Sequence, residues 1–345
     1  MGTLTVFPSS EGHVLRYYSY DTFSGIRNGA GTDAYNPTGG SAINLIGITT
    51  GPSTNNYQIL RRGFFAFDTS ALTSAATVSS ALFGVCPSGQ YSGFPAAVNN
   101  NLYIGVYTNA QASNTAVVAA DYDKLGTTLQ TTATKSFSSL TSDTPFTLTL
   151  NATGRGNISK TGTTKFGMRD SYYDATNTAP AFTASVYFLA NCYSNFGDPT
   201  YSPQLVITYT GDPTVTTQAA SNVLPTSMTG NGNITSIGGA TPTRRGFVYM
   251  VGTSGDPTTS NSVVYEDGSF GTGAYTLSIT SLSELTNYRV RAYAVNSVGT
   301  SYGPTVQEST PSSTAIKTID GLARASIKTV NDLAIASMKT WDGLE

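Results

Sequence analysis

The sequence predicts an all-β protein: two β-sandwiches in succession, followed by a short repeated tail. Three observations predict it. Helix signals are scarce before residue 312, while short runs rich in β-branched and aromatic residues recur throughout, among them LTVF, NLYIGVYT, FTLTL, SVYFLA, QLVITYT, GFVYMV, YTLSIT and YRVRAYAV. Gly, Pro, Asn, Asp and Ser separate these runs, in clusters such as CPSGQYSG and SNFGDPTYSP. NLYIGVYT and TPFTLTL alternate with period two, as half-buried antiparallel strands do.

Composition divides the chain into three parts. SPQLVITYT ends a strand at Thr210, and GDPTVTT follows as turn and linker. Residues 1–210 are numerous enough to bury their own core. Residues 211–311 are immunoglobulin-sized. A second shift comes at STPSSTA, and residues 312–345 form the tail.

Charged residues are only 11% of the chain, against about 25% in ordinary soluble proteins. Thr, Ser, Asn, Gly and 21 Tyr take their place, a surface typical of proteins that work outside cells. The net charge of −2 gives no electrostatic footprint for nucleic acid. No run of about 18 apolar residues offers a membrane span. The N-terminus MGTLTVFPSSEGHVLRYYSYD lacks the marks of an export signal. A virion protein, made in the host cytoplasm and released by lysis, reconciles these features; an extracellular or cell-surface location is the alternative.

Two cysteines, Cys86 and Cys192, fit no zinc spacing. They read as buried reduced thiols, with a disulfide open to them in an oxidising environment.

In the first block, RRGFFAFDTSALTSAATVSSALFGV (61–85), DYDKLGTT (121–128), LNATGRGNISKTGTTKFGMRD (150–170) and the closing SPQLVITYT come in an order that resembles the disaggregatase-related family, whose modules look like carbohydrate-binding domains. The resemblance implies a jelly roll of eight or more strands and supplies no binding residues. TSMTGNGNITSIGGATPTRRGFVYMV, DGSFGTGAYTLSITSL and SELTNYRVRAYAVNSVGTSYG resemble bacterial fibronectin type III-like modules. There Tyr288 begins a strand that continues through Val290 and Ala292 on one face, in a position that resembles a tyrosine corner. The expected fold is therefore a jelly-roll β-sandwich, a fibronectin III/immunoglobulin-like sandwich and a repeat tail.

That tail reads IKTIDGLARASIKTVNDLAIASMKTWDGLE, one phrase three times with a period of eleven. It resembles repeats at the ends of phage structural proteins and related bacterial surface proteins. Two conformations suit it. Asp-Gly at 320–321, Asn-Asp at 331–332 and Asp-Gly at 342–343 can be hairpin turns. Ala323, Ala325, Ile327 and Thr329 then share a narrow face, repeated by Ala334, Ala336, Met338 and Thr340 in the next copy. Alternatively, eleven residues make three helical turns. Ile316, Ile319, Leu322, Ile327, Val330, Leu333, Met338, Trp341 and Leu344 then form one apolar stripe. Two glycines cost the helix about 1 kcal/mol each, so the hairpins are favoured. Thirty residues cannot bury a core alone. The tail therefore needs other copies of itself, with a trimer favoured, or other virion proteins.

Catalytic signals are sparse. His13 is the only histidine, and no G-x-S-x-G elbow, H-E-x-x-H, P-loop or dinucleotide fingerprint appears. The aromatic clusters RYYSYD (16–21), DSYYD (170–174) and NCYSNFGD (191–198) set rings beside Asp or Asn, the pairing that stacks a sugar and holds its hydroxyls. Tyr172 and Tyr173, flanked by Asp170 and Asp174, are the first candidates. The same acids are of the kind that hold a structural calcium ion. The expected role is a non-enzymatic phage fibre, spike or capsid-decorating subunit that displays its sandwiches toward host-surface glycans. A bacterial surface adhesin or self-assembling extracellular filament, and a glycan-active enzyme, are the alternatives.

Overall fold

A computed structural model describes residues 1–37, 42–194 and 198–313, and the backbone of four two-residue strands in the tail. The chain is all-β, in two sandwiches whose cores share no residue: one is drawn from residues 14–207, the other from residues 215–294.

The first sandwich has a small sheet ordered β1 (Gly2–Val6), β14 (Gln204–Thr210), β6 (Thr77–Val85), β11 (Phe146–Thr149). Its large sheet runs β10 (Lys135–Ser136), β8 (Tyr103–Asn109), β12 (Thr163–Asp170), β5 (Tyr57–Asp68), β4 (Ile43–Thr50), β13 (Tyr187–Cys192), β7 (Pro87–Ser92). Off that path, β2 (Pro8–Tyr17) pairs β5 and β3 (Asp33–Tyr35), and β9 (Leu125–Leu129) pairs β8.

The twelve residues of β5 organise this sheet. One edge bonds β2 along residues 59–67. The other edge is divided: β4 takes residues 57–62 and β12 takes 63–68. Buried on both faces, the strand reads as a nearly continuous apolar run, FFAF, rather than an alternating one. Phe65 and Phe67 face the small sheet and set their rings against Phe83, at 5.2 and 5.4 Å between centroids, edge to face. Each such pair adds about 0.5–1.5 kcal/mol beyond the burial of its rings. The opposite face packs on α1 (Phe23–Asn28), whose N-cap Thr22 accepts from Gly25 N. Two further short helices, α2 (Ala96–Asn99) and α3 (Ala152–Gly156), close loops.

In the second sandwich β15 (Thr214–Leu224), β16 (Ser227–Ser236) and β19 (Gly273–Thr280) form one sheet. The other is ordered β18 (Ser262–Asp267), β17 (Arg244–Val251), β20 (Asn287–Val295), β21 (Thr300–Tyr302), with β22 (Val306–Ser309) also on β20. Three strands facing a sheet built on the β17–β20 pair is a fibronectin type III-like arrangement. Tyr288, Val290 and Ala292 are buried on one face of β20. The Tyr288 hydroxyl accepts from Ser283 N at 2.8 Å, closing the expected tyrosine corner.

The start of the second block is held by Asn296 and lies against the first strand of the chain. Asn296 donates to Gly211 O, Ile237 O and Ala240 O, and its Oδ1 accepts from Val298 N and Gly299 N. Gly239, at φ 79°, lets Gly2 approach so closely that a Cβ would lie 2.4 Å from Gly2 N.

In the tail, β23 (Thr318–Ile319) pairs β24 (Leu322–Ala323), and β25 (Thr329–Val330) pairs β26 (Leu333–Ala334). Ile319 opposes Leu322 and Val330 opposes Leu333, each across two intervening residues, as the hairpin reading requires. The continuous helical stripe is overturned at these positions, because paired strands take the place of local helical bonds. Ile316, Ile327, Met338, Trp341 and Leu344 lie outside the described residues.

Candidate functional site

The segment DSYYD leaves β12 and turns back under the large sheet. Asp174 is fully buried. Arg62 reaches it from β5 with Nε at 2.9 Å and Nη2 at 2.6 Å. Arg169 reaches it from β12 with Nε at 3.0 Å and Nη2 at 2.5 Å. Both guanidinium groups are forked on one carboxylate, the geometry that favours Arg over Lys. Their remaining donors find carbonyls: Arg62 on Tyr122 and Arg27, Arg169 on Leu125, Gly126 and Asp174. Arg62 also lies over the Tyr122 ring, 4.1 Å from its centroid. Burial alone raises the Asp174 pKa, but the Arg62 and Arg169 charges outweigh it and hold the carboxyl down at about 2.

Asp170 has a different task. Its Oδ2 accepts from Tyr103 N at 3.0 Å. Its Oδ1 accepts from the backbone N–H groups of Tyr172, Tyr173 and Asp174, capping the turn. Burial pushes this carboxyl up to about 7, while those N–H groups pull it back toward ionisation. Tyr173 is buried and donates to Val98 O at 3.2 Å. Of the four, Tyr172 alone is open, 43% exposed, with its ring edge-on to Tyr173.

The glycan site expected at Asp170, Tyr172, Tyr173 and Asp174 is therefore corrected. Three of the four are interior, and their polar atoms are held by protein partners. What the segment builds is a buried ionic hub that ties β5, β12 and α1 together. Arg62 escapes a reading of the sequence because it lies 112 positions from Asp174; Arg169, five residues from Asp174, escapes it because nothing in the sequence says that the turn between them is interior; an Arg inside an apolar strand such as ILRRGFFAF is the available signal.

The other candidates are also structural. His13 is buried, its ring 5.1 Å from Tyr35, and Nδ1 accepts from Asn44 N at 3.3 Å. Burial, then the Arg61 charge, lowers its pKa to about 4. Cys86 and Cys192 are buried free thiols, as expected. Burial raises both, Cys86 to about 11. Among the described residues no three His, Cys, Asp or Glu side chains gather as a metal site needs, and none of the helices there is long and apolar enough to cross a membrane. In RYYSYD, Tyr17, Tyr18 and Tyr20 are exposed by half or more. In NCYSNFGD, residues 195–197 lie outside the described residues.

No family model and no curated protein matches the chain. Among solved structures, the sensor domain of the anti-sigma factor RsgI4 in Pseudobacteroides cellulosolvens, in its solution structure, is 14% identical, over 38% of this chain and 94% of that one, at a TM-score of 0.23. The chicken CNTN1 FN1–FN3 domains are 10% identical over 89% and 100%, at 0.23. Domains A168–A170 of titin are 11% identical over 88% and 100%, at 0.19. The fold assignment accordingly rests on this chain's own strands: an all-β protein of two successive sandwiches.

Proposed function

We propose that the chain is a non-enzymatic phage virion structural protein, a fibre, spike or capsid-decorating subunit. Its C-terminal repeat assembles or docks, and its two sandwiches are displayed toward host-surface glycans. The observation that carries this reading is the tail: one eleven-residue phrase is stated three times, and its described residues pair as hairpin strands, 318–319 with 322–323 and 329–330 with 333–334. Such a hairpin is marginal alone in water, so the repeat needs a partner surface. The residues best suited to chemistry, His13, Asp170, Asp174 and the two thiols, are occupied with internal packing. Weak glycan contacts gain strength when many copies are presented together.

Light scattering after size exclusion tests it, on the full chain and on a chain ending at Pro311. A full-length trimer or larger oligomer beside a folded monomeric truncation supports the reading. Oligomers in both overturn the role of the repeat. If both are monomers, self-assembly is overturned, and the docking form stands only if mass spectrometry finds the protein in purified phage particles. Turnover of a polysaccharide by the purified chain overturns the non-enzymatic reading.

A further inference from the structure

Direct cross-strand partners point to the same face of a sheet. Across the large sheet, Tyr17 opposes Ile59, Ile59 opposes Thr49, and Thr49 opposes Tyr187. One row over, Arg61 opposes Gly47, Gly47 opposes Leu189, and Leu189 opposes Tyr91. One face of the sheet thus carries Tyr17, Tyr187 and Tyr91 around Arg61. The three rings are 50%, 48% and 55% exposed. Tyr17 and Tyr187 stand three strand spacings apart, about 14 Å.

Arg61 is the unusual member. Among the described residues its one hydrogen bond is a long one, Nη1 to Thr49 Oγ1 at 3.4 Å. No carboxylate among them lies within ion-pair distance of it, whereas its neighbour Arg62, on the opposite face, donates to both oxygens of Asp174 and to two carbonyls. Gly47 gives its stem a place to lie: a Cβ there would come within 3.3 Å of Arg61 Cδ and 2.8 Å of Leu189 Cδ1. A half-buried guanidinium with most of its fork unused, set among open tyrosine rings, is complementary to a planar anion attached to stackable rings.

We propose that this face binds an acidic polysaccharide, with a sugar carboxylate on the Arg61 guanidinium and neighbouring pyranose rings stacked on Tyr17, Tyr187 and Tyr91. The site rests on the adhesion part of the proposed function and gives it a ligand class. With a net charge of −2, the chain has no general attraction for a polyanion, so retention must come from local recognition.

Affinity electrophoresis of the full chain tests this, in gels holding polygalacturonate, alginate, hyaluronate or polysialic acid, with methyl-esterified polygalacturonate and dextran as neutral comparisons. At least one acidic polymer is expected to retard the protein, and the neutral gels are not. Arg61→Gln is expected to weaken that retention about tenfold or more. Arg61→Lys keeps the charge but loses the fork, and is expected to fall between. Tyr187→Ala, at an exposed ring, is expected to weaken it severalfold while leaving the near-ultraviolet circular dichroism of the core unchanged. Equal retention of wild type and Arg61→Gln overturns the site, as does retention unchanged in Tyr187→Ala. Retention only by neutral polymers also overturns it while leaving the adhesion reading standing. No retention by any of these polymers overturns both, and assembly through the repeat is still read separately by light scattering.

Discussion

Arg61 and Arg62 are consecutive on a strand whose side chains alternate between faces. One therefore turns to a tyrosine-bearing surface and the other to the interior, where Asp174 and a set of carbonyls receive it. Removing Asp174 would leave two buried guanidinium groups facing each other without a counterion. Asp174→Ala is expected to cost about 3–5 kcal/mol in urea unfolding. A replacement of Arg62, Arg169 and Asp174 together by apolar residues is expected to cost less than that single change. A larger loss in the triple variant would show that the hub is not governed by charge burial. The pH dependence has two opposed sources. The folded pKa of His13 is lowered from 6.5 to about 4. The unfolded chain therefore takes that proton first, and stability is full above pH 6.5 and lost as pH falls toward 4. The folded pKa of Asp170 is raised from 3.8 to about 7. Its contribution is present at low pH and lost as pH rises through that range. The two amount to about 3 and about 4 kcal/mol, so urea midpoints of the native protein are expected to be nearly level between about pH 4.5 and 6.5. His13→Gln is expected to tilt them, with stability falling as pH rises. An unchanged profile would exclude the His13 contribution.

At the scale of elements, β20 and the turn before it show local sequence setting local structure. Tyr288 both fills the core and anchors the preceding turn through Ser283 N. Tyr288→Phe keeps the ring and strands that N–H, and is expected to cost about 1–3 kcal/mol. A loss below a few tenths would mean that water replaces the bond. In the same turn Leu285 sits at φ 52° and is 75% exposed, a left-handed conformation that buries nothing in return. Leu285→Asn is expected to stabilise by about 0.5–1 kcal/mol, read as a shift of the thermal midpoint. The corner was legible in YRVRAYAV because apolar alternation and its leading Tyr lie within one strand. In the repeat the sequence favoured hairpins but left a helical stripe open; a two-residue turn signal acts on its immediate neighbours, and the pairing of Ile319 with Leu322 and of Val330 with Leu333 agrees with it. By contrast, the DSYYD segment looked like a surface cluster, because polar and aromatic residues in a loop read as exposed. The depth at which that loop lies is decided by β5 and β12, which come from distant parts of the chain.

For the whole molecule, both cores are drawn from residues before the tail, one from 14–207 and the other from 215–294, so each sandwich is expected to fold without it. A chain ending at Pro311 is expected to keep the thermal midpoint of the full-length protein within a few degrees, measured at a concentration where both are monomeric. A loss of about 10 °C or more would show that residues 312–345 pack back on the sandwiches. What the sequence determined by itself was the all-β class, the two successive sandwiches and the tyrosine corner. Each depends on periodicity, turn chemistry or composition over a few to a few dozen residues. Only the tertiary structure decided which polar residues are interior. It joined Arg62, Arg169 and Asp174 into one hub, and it set Arg61 apart on the opposite face with Tyr17, Tyr187 and Tyr91. The physical reason is that strand register and the divided edge of β5 place residues more than a hundred positions apart in contact, and those contacts, not residue type, determine whether a charge is satisfied or left available.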